Sequence, residues 1–313
     1  MRAIGVHEFG GPEKLEILDL PEPHPGAGEV RVRVQAATVN PTDTGLRSGG
    51  YGDRPGDRSG PYVPGMDAAG IVDEVGPDVD RVEVGDRVAA IVLPTGPHGG
   101  AYADQVVVPA ASVVRLPDAI GPVPGSTLLM NALTARLALD EMALSPGRTV
   151  AVTGAAGAFG GYVVQLAVAD GLRVVADASE ADEELVRGLG AHEVVRRGDD
   201  VAQRIRQLAP EGVDGLADGS VQTDQLLAAI KDGGAMATIR GWSGPSERGI
   251  SVHPIMVFGA AGRTDLLERL RDQAADGTLT LRVATVLPAE QAPEAHRRLE
   301  AGGVRGRIVL DFS

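Results

Sequence analysis

Residues 149–177 hold the pattern with the greatest capacity for specific chemistry. Gly154-Ala155-Ala156-Gly157-Ala158-Phe159-Gly160-Gly161 follows a strand-like run, Thr149–Thr153. It opens a helix-like run, Gly161–Ala169, that ends near Gly171. Small residues at such a turn let the backbone approach a pyrophosphate, and the helix N-terminus offers N–H groups and a favourable dipole to it. The spacing is G-x-x-G-x-x-G, not the usual G-x-G-x-x-G. A structural turn would account for the glycines alone. The strand before, the helix after and the further strand–helix units downstream favour a bound dinucleotide.

The end of the next strand bears on which dinucleotide. Asp177 stands 20 residues after Gly157, where an acid bonds the adenosine ribose hydroxyls of NAD. Glu180, Asp182, Glu183 and Glu184 follow, with no Lys or Arg before Arg187. A 2′-phosphate there would meet carboxylates and no nearby cation, so the sequence favours NADH over NADPH. The same acids also suit the first turn of the next helix through its dipole.

Absences narrow the chemistry further. The chain has only two lysines, Lys14 and Lys231, and neither lies four residues after a tyrosine, so the Tyr-x-x-x-Lys proton relay is missing. Cysteine is absent, which removes disulfides, thiolate metal sites and a thiol nucleophile together. Six histidines (7, 24, 98, 192, 253 and 296) show no ligand spacing, so no zinc is expected. His192 and His296 read as surface residues. A hydride transfer without a metal must stabilise its oxyanion by hydrogen bonds alone, which suits an activated acceptor such as a quinone or an enone.

The elements that must carry these residues fall into two styles. Up to residue 121 the chain is rich in turns and short strands: Val30–Gln35 alternates with period two, and Ile71–Val72, Val88–Val92 and Gln105–Val108 are further runs. Such spacing predicts a small barrel or sandwich. Beyond Gly121 the rhythm changes. Leu128–Leu139 reads as helix, Thr149–Thr153 and Arg173–Ala176 as strands, 180–189 as helix and His192–Val195 as strand. Val201–Leu208 (helix), Val213–Ala217 (strand), Gln225–Lys231 (helix) and Ala235–Ile239 (strand) continue the alternation that builds a parallel, doubly wound sheet. Leu266–Ala275 and Ala292–Glu300 read as helices, Leu281–Val286 and Ile308–Leu310 as strands.

The 313 residues carry 29 basic and 43 acidic side chains, a net charge of −14. So acidic a surface repels phosphate backbones and anionic lipid, so neither nucleic acid nor a membrane is an expected partner. No apolar run reaches the roughly 18–20 residues a bilayer demands. Met1–Glu8 lacks the apolar stretch of a signal peptide, and a cytoplasmic location is expected.

Taken together, the motifs resemble the zinc-independent medium-chain dehydrogenase/reductases, in the quinone oxidoreductase and enoyl reductase branch. The carriers are Val39–Asp43, Pro64–Val72, Val84–Val88, Gly99–Ala103, Asn131–Ala135, Val152–Gly157, His296–Gly302 and Gly306–Leu310. The resemblance implies a GroES-like barrel domain (1–121 and 264–313) with a Rossmann domain (122–263) inserted, and an active site in the cleft between them. It implies cofactor contacts at Gly154, Ala156, Gly157, Ala158, Phe159, Gly160, Asp177, Ala178, Ser179 and Thr134. Asn40 would lie beside nicotinamide and substrate, and Tyr51 would bond an acceptor oxygen or supply a proton. Asn40 as a turn cap and Tyr51 as a loop aromatic are the alternatives. A second tyrosine of that family is here Gly45, and zinc ligands of distant relatives are here Asn40, Met66 and Met130. Asp43 and Asp67 read as buried acids paired with an arginine such as Arg87. NADPH-preferring relatives carry a basic residue near 181, which here is Ala181.

The expectation is therefore a metal-independent NAD(P)H oxidoreductase acting on a quinone or an α,β-unsaturated carbonyl. An enoyl-thioester reductase of the same fold and a non-catalytic nicotinamide-binding redox sensor are the alternatives. Ser251–Phe258 would be the last Rossmann strand, which in this family pairs across a two-fold axis, so a homodimer is expected.

Overall fold

The protein is described by a computed structural model over residues 1–50, 61–245 and 247–313. Short strands β1 (Arg2–Gly5) and β2 (Glu16–Asp19) pair antiparallel. The ten-residue β3 (Glu29–Thr38) follows, with Val30, Val32 and Val34 buried and Arg33 facing water, as its period-two pattern dictates. Helix α1 (Pro41–Arg47) has proline at its first position, where no N–H is needed. Then come β4 (Asp67–Val75), β5 (Arg87–Ile91), β6 (Gln105–Pro109), β7 (Val113–Arg115) and the short α2 (Pro122–Gly125). Helix α3 (Leu129–Met142) leads into strictly alternating elements: β8 (Thr149–Thr153), α4 (Ala158–Ala169), β9 (Arg173–Ala178), α5 (Glu183–Gly188) and β10 (Glu193–Arg196). These continue with α6 (Val201–Leu208), β11 (Val213–Asp218), β12 (Ile230–Thr238) and β13 (Ser251–Pro254). The chain closes with α7 (Thr264–Ala275), β14 (Val283–Pro288), α8 (Ala292–Ala301) and β15 (Arg307–Asp311).

Two compact units result. The first, residues 1–130, 258–275 and 281–313, holds a sheet in the order β14-β15-β3-β4-β5-β7, with β6 also on β3. Its pairs are antiparallel except β14 with β15. The second, residues 131–257 and 276–280, holds a six-stranded parallel sheet in the order β10-β9-β8-β11-β12-β13. Relative to the sequence-derived boundaries at 121/122 and 263/264, the divisions fall at 130/131 and 257/258. The segment around α2 goes with the first unit because it packs on β3, β4 and β5.

In the parallel sheet the strand order reverses between β8 and β11, the two strands that leave for opposite edges. Such a reversal opens a crevice at the strands' C-terminal ends, and ligands of open α/β sheets bind there. Strands covered on both faces should read as continuous apolar runs, and Val150, Ala151 and Val152 are all buried. One expected helix is corrected: Gln225–Lys231 divides into a 3₁₀ stretch, Thr223–Ala229, and the start of β12, because Ile230 pairs with Val213 of β11.

Candidate cofactor and acceptor sites

The glycine-rich turn lies at the sheet's reversal point. Gly154 follows β8 with φ +66°, the left-handed region that suits glycine. A methyl group added to it would sit 2.7 Å from the carbonyl of Gly219, which follows β11. Gly160 in the first turn of α4 faces the carbonyl of Gly154 so closely that any side chain would collide. Gly157 caps α4 with no side-chain hydrogen bond to its first turn, leaving those N–H groups to an anion. Ala156 and Phe159 are buried, Ala158 and Gly157 half-buried. The Phe159 ring turns toward Gly219, where an added Cβ would meet it at 3.1 Å. A turn bare of side chains at Gly154, Gly157 and Gly160, leading into a twelve-residue helix with no side-chain cap, fits the diphosphate of a dinucleotide. Thr134 stands half-buried on α3.

Asp177 proves to be 4% exposed, with Oδ1 accepting the Ala155 N–H at 3.1 Å. Burial raises its pKa, opposed by the Ala155 and Gly154 N–H groups and by the charge of Arg197. Asp177 thus braces the glycine turn from beneath. Ala178 is buried and Ser179, half-buried, gives its hydroxyl to Asp182. The premise that no cation lies nearby is corrected. Arg196 stands opposite Ala178 in register, and the Arg197 N–H bonds the Ala178 carbonyl at 2.8 Å. Sequence distance hid them: β10 is the spatial neighbour of β9.

A residue that sequence reasoning missed shapes the other wall. Asp218, 1% exposed at the end of β11, accepts the Thr153 hydroxyl at 2.9 Å. It also accepts the N–H groups of Ser220, Val221 and Thr223 at 3.0, 2.8 and 2.9 Å. Val221 and Thr223 adopt φ of +61° and +54°, costly for β-branched residues, and this carboxylate holds them there. An Asp followed by Gly-Ser was the available signal.

In the first unit, the end of β3, the start of α1, the start of β4 and the start of β15 converge on Asn40. Its amide nitrogen donates to Asp67 Oδ2 at 3.0 Å and its oxygen accepts Arg307 Nη2 at 2.8 Å. Arg307 also reaches Asp67 Oδ2 (3.0 Å) and Thr38 Oγ1 (2.7 Å), while Asp67 Oδ1 takes the Met130 N–H at 2.8 Å. The four side chains are at most 4% exposed. Asp67 therefore pairs with Arg307, not with Arg87, whose guanidinium bonds the Ile120 carbonyl 2.5 Å away. Arg307 Nη1 is buried with no hydrogen-bond partner, a donor that an oxygen of a bound ligand would satisfy. Thr42 donates to the Met66 sulfur at 3.0 Å. Zinc fits this donor set poorly: Asn40 and Asp67 are committed to Arg307, and Met66 and Met130 offer neither thiolate nor imidazole.

Beside this cluster runs a second network. Asp43 is wholly buried and accepts the N–H groups of Asn40 (2.8 Å) and Gly65 (3.0 Å) and the Tyr102 hydroxyl (3.1 Å). Burial outweighs these bonds and pushes Asp43 up to about 7. The expected arginine partner of Asp43 is thus replaced by a tyrosine. His296 is corrected from surface to core: it is 0% exposed, because Ala292, Ala295 and His296 form the inward face of α8. Burial, then the charge of Arg47, hold it down to about 3. Arginine only donates, so the 3.4 Å contact from Arg47 Nη1 requires a lone pair on His296 Nδ1. Nε2 then carries the hydrogen toward Tyr102, 3.2 Å away, and the tyrosine hydroxyl must point at Asp43. Tyr51 lies outside the described residues, and Gly45 is a half-buried position of α1. Among the described residues no three His, Cys, Asp or Glu side chains are grouped to hold a metal.

Comparison with known proteins agrees with both units. Residues 26–118 match the family described as alcohol dehydrogenase GroES-like domain, and residues 189–310 the family described as zinc-binding dehydrogenase. The quinone oxidoreductase of Lama guanicoe is 31% identical over 328 residues, covering 99% of this chain and 97% of its own. A mycobacterial protein solved in complex with NADPH superposes with a TM-score of 0.88 at 30% identity, over 99% of this chain and 100% of its own. CurK enoyl reductase does so with a TM-score of 0.87 at 25% identity, over 99% and 98%. The antiparallel first unit is thus GroES-like and the parallel second unit Rossmann-like. The chain belongs to the medium-chain dehydrogenase/reductases, in their quinone oxidoreductase and enoyl reductase branch.

Proposed function

We propose that this oxidoreductase passes a hydride from a nicotinamide coenzyme to a quinone or an α,β-unsaturated carbonyl, without a metal. The observation that carries the reading is the side-chain-free turn of Gly154, Gly157 and Gly160 at the reversal point of a parallel sheet. The coenzyme, when bound, would supply the hydride. The chain's own part is to bind and orient. The first-turn N–H groups of α4 would hold the diphosphate, with Asp177 and Asp218 bracing the loops on either side. Asn40 is held in one orientation by Arg307 and Asp67, and the spare Arg307 N–H would meet an oxygen of the bound ligands. Tyr51 remains the proposed proton donor. An acceptor whose carbonyls already stabilise added electrons needs only such hydrogen bonds.

The test is oxidation of NADPH and NADH by the purified protein against panels of quinones and enones, with and without chelator. Turnover unchanged by chelator is expected; loss of activity on chelation would contradict the metal-free reading. The likeness to CurK enoyl reductase favours a second reading, an enoyl-thioester acceptor, and an enoyl thioester in the same panel decides between them. Coenzyme binding with no turnover of any acceptor would instead select the redox sensor. We place the protein in the cytoplasm; no described helix is long and apolar enough to cross a membrane.

A further inference from the structure

We propose that Arg240, just beyond the C-terminal end of β12, reads an anionic group on the acceptor, so that the substrate is an activated carbonyl compound bearing a carboxylate or a phosphate. The inference rests on the hydride-transfer reading above and narrows its acceptor.

The first of three observations is position. Thr153, Asp218 and Thr238 stand side by side where β8, β11 and β12 end. Arg240 comes two residues after Thr238, as Ala155 does after Thr153. It therefore lies at the same end of the sheet as the glycine turn, two strands or about 10 Å along it. The adenosine half of a dinucleotide held by such a turn lies over the next strand, here β9. Its nicotinamide half then extends the other way, over β11 and β12, where an acceptor has to meet it.

The second is backbone strain. Arg240 has φ +64°, a conformation that glycine takes freely and a residue with a Cβ rarely does. Arg248, the other arginine at positive φ among the described residues, sets its guanidinium on the Leu227 and Ile230 carbonyls and on Asp232. No such contact offsets the strain at Arg240. The turn is nevertheless pinned on both sides. The Thr238 hydroxyl donates to the Trp242 carbonyl at 2.5 Å, the Ile255 N–H bonds the Thr238 carbonyl at 2.8 Å, and Trp242 packs on the core of the second unit. Strain kept in place by its surroundings marks functional positions.

The third is charge. The Arg240 guanidinium is exposed and makes no hydrogen bond or ion pair with the described residues. A net charge of −14 repels anions in general, so an unpaired cation at the ligand-binding end of the sheet would admit one selectively. Arginine's planar fork holds two oxygens of a carboxylate or phosphate at once.

Two substrate pairs, each assayed with the coenzyme that binds, separate the sources of the anion. For a carboxylate beside the reacting double bond, (E)-4-oxo-2-pentenoate is compared with 3-penten-2-one. For a phosphate on a thioester arm, crotonyl-pantetheine 4′-phosphate is compared with crotonyl-pantetheine. In at least one pair the anionic member should exceed the neutral one in kcat/KM by about fivefold or more. Arg240→Gly is the informative variant, because glycine suits the backbone at this position. It should unfold at no lower urea concentration than the wild type and erase the anionic preference through KM. Turnover of neutral acceptors and coenzyme affinity should stay within about twofold. Arg240→Lys should keep part of the preference, and added salt should erode it in the wild type. A smaller preference in both pairs overturns the inference and leaves the hydride-transfer reading standing. So does an Arg240→Gly variant that slows neutral and anionic acceptors alike or loses coenzyme affinity. Coenzyme bound without turnover of any of the four contradicts the hydride-transfer reading itself, and the inference falls with it.

Discussion

Asp43 ties the pH dependence of the protein to one buried carboxyl. Its folded pKa is raised from the ordinary 3.8 to about 7, so the folded chain keeps a proton that the unfolded chain releases. The stabilisation is full below about pH 4 and is lost as pH rises through about 7. His296 works in the opposite sense: held down to about 3 from 6.5, its contribution is present above about pH 6.5 and lost as pH falls toward 3. The two oppose each other between about pH 4 and 6.5. Urea denaturation of Asp43→Asn should therefore show a rise in stability between about pH 5 and 6.5, from His296 alone, where the wild type stays nearly level; the two curves should separate by a few kcal/mol between about pH 5 and 7. Parallel curves for the two proteins would contradict the burial argument. Little of this was legible in the sequence. His296 meets Tyr102 across 194 positions, and Arg197 meets Ala178 across a sheet, so the charge of a neighbourhood cannot be read along the chain.

Strand, turn and helix between 149 and 169 form the element on which the proposed function rests, and here the sequence was explicit. Thr149–Thr153 and Val201–Leu208 form over the residues that periodicity predicts, because both are closed by glycine, proline or aspartate and packed on an apolar face. The helix α4 begins at Ala158, three residues before its apolar run, since Gly157 rather than an apolar residue sets the cap. Helix α1 escaped notice because seven residues beginning with Pro41 carry too short a period. The turn supplies a second prediction. Gly154→Ala would force a side chain into φ +66° and against the Gly219 carbonyl 2.7 Å away, costing about 1–3 kcal/mol and displacing the loop after β11. Coenzyme affinity should fall at least tenfold. The control is Gly277→Ala, where φ is +86° but nothing lies within 4 Å: a loss of about 1 kcal/mol in denaturation with coenzyme affinity intact.

At the scale of the whole molecule, the fold class and the two-unit order could be read from the change of rhythm near residue 121. The fine boundaries could not, since α2 belongs to the first sheet through packing that no local pattern encodes. One edge of the parallel sheet is β13, whose outer side has no strand partner within the described chain. An open edge of this kind invites pairing with a second copy. We propose a homodimer through it: light scattering at micromolar concentration should give about 64 kDa, twice the 32.2 kDa chain, and a monomeric mass would count against it. The proposed function, however, rests on the glycine turn holding a nicotinamide coenzyme. A crystal structure of the protein with NADPH tests that most directly. The diphosphate should lie against the first-turn N–H groups of Ala158, Phe159 and Gly160. A coenzyme bound elsewhere, or absent at saturating concentration with that turn closed, would contradict the account.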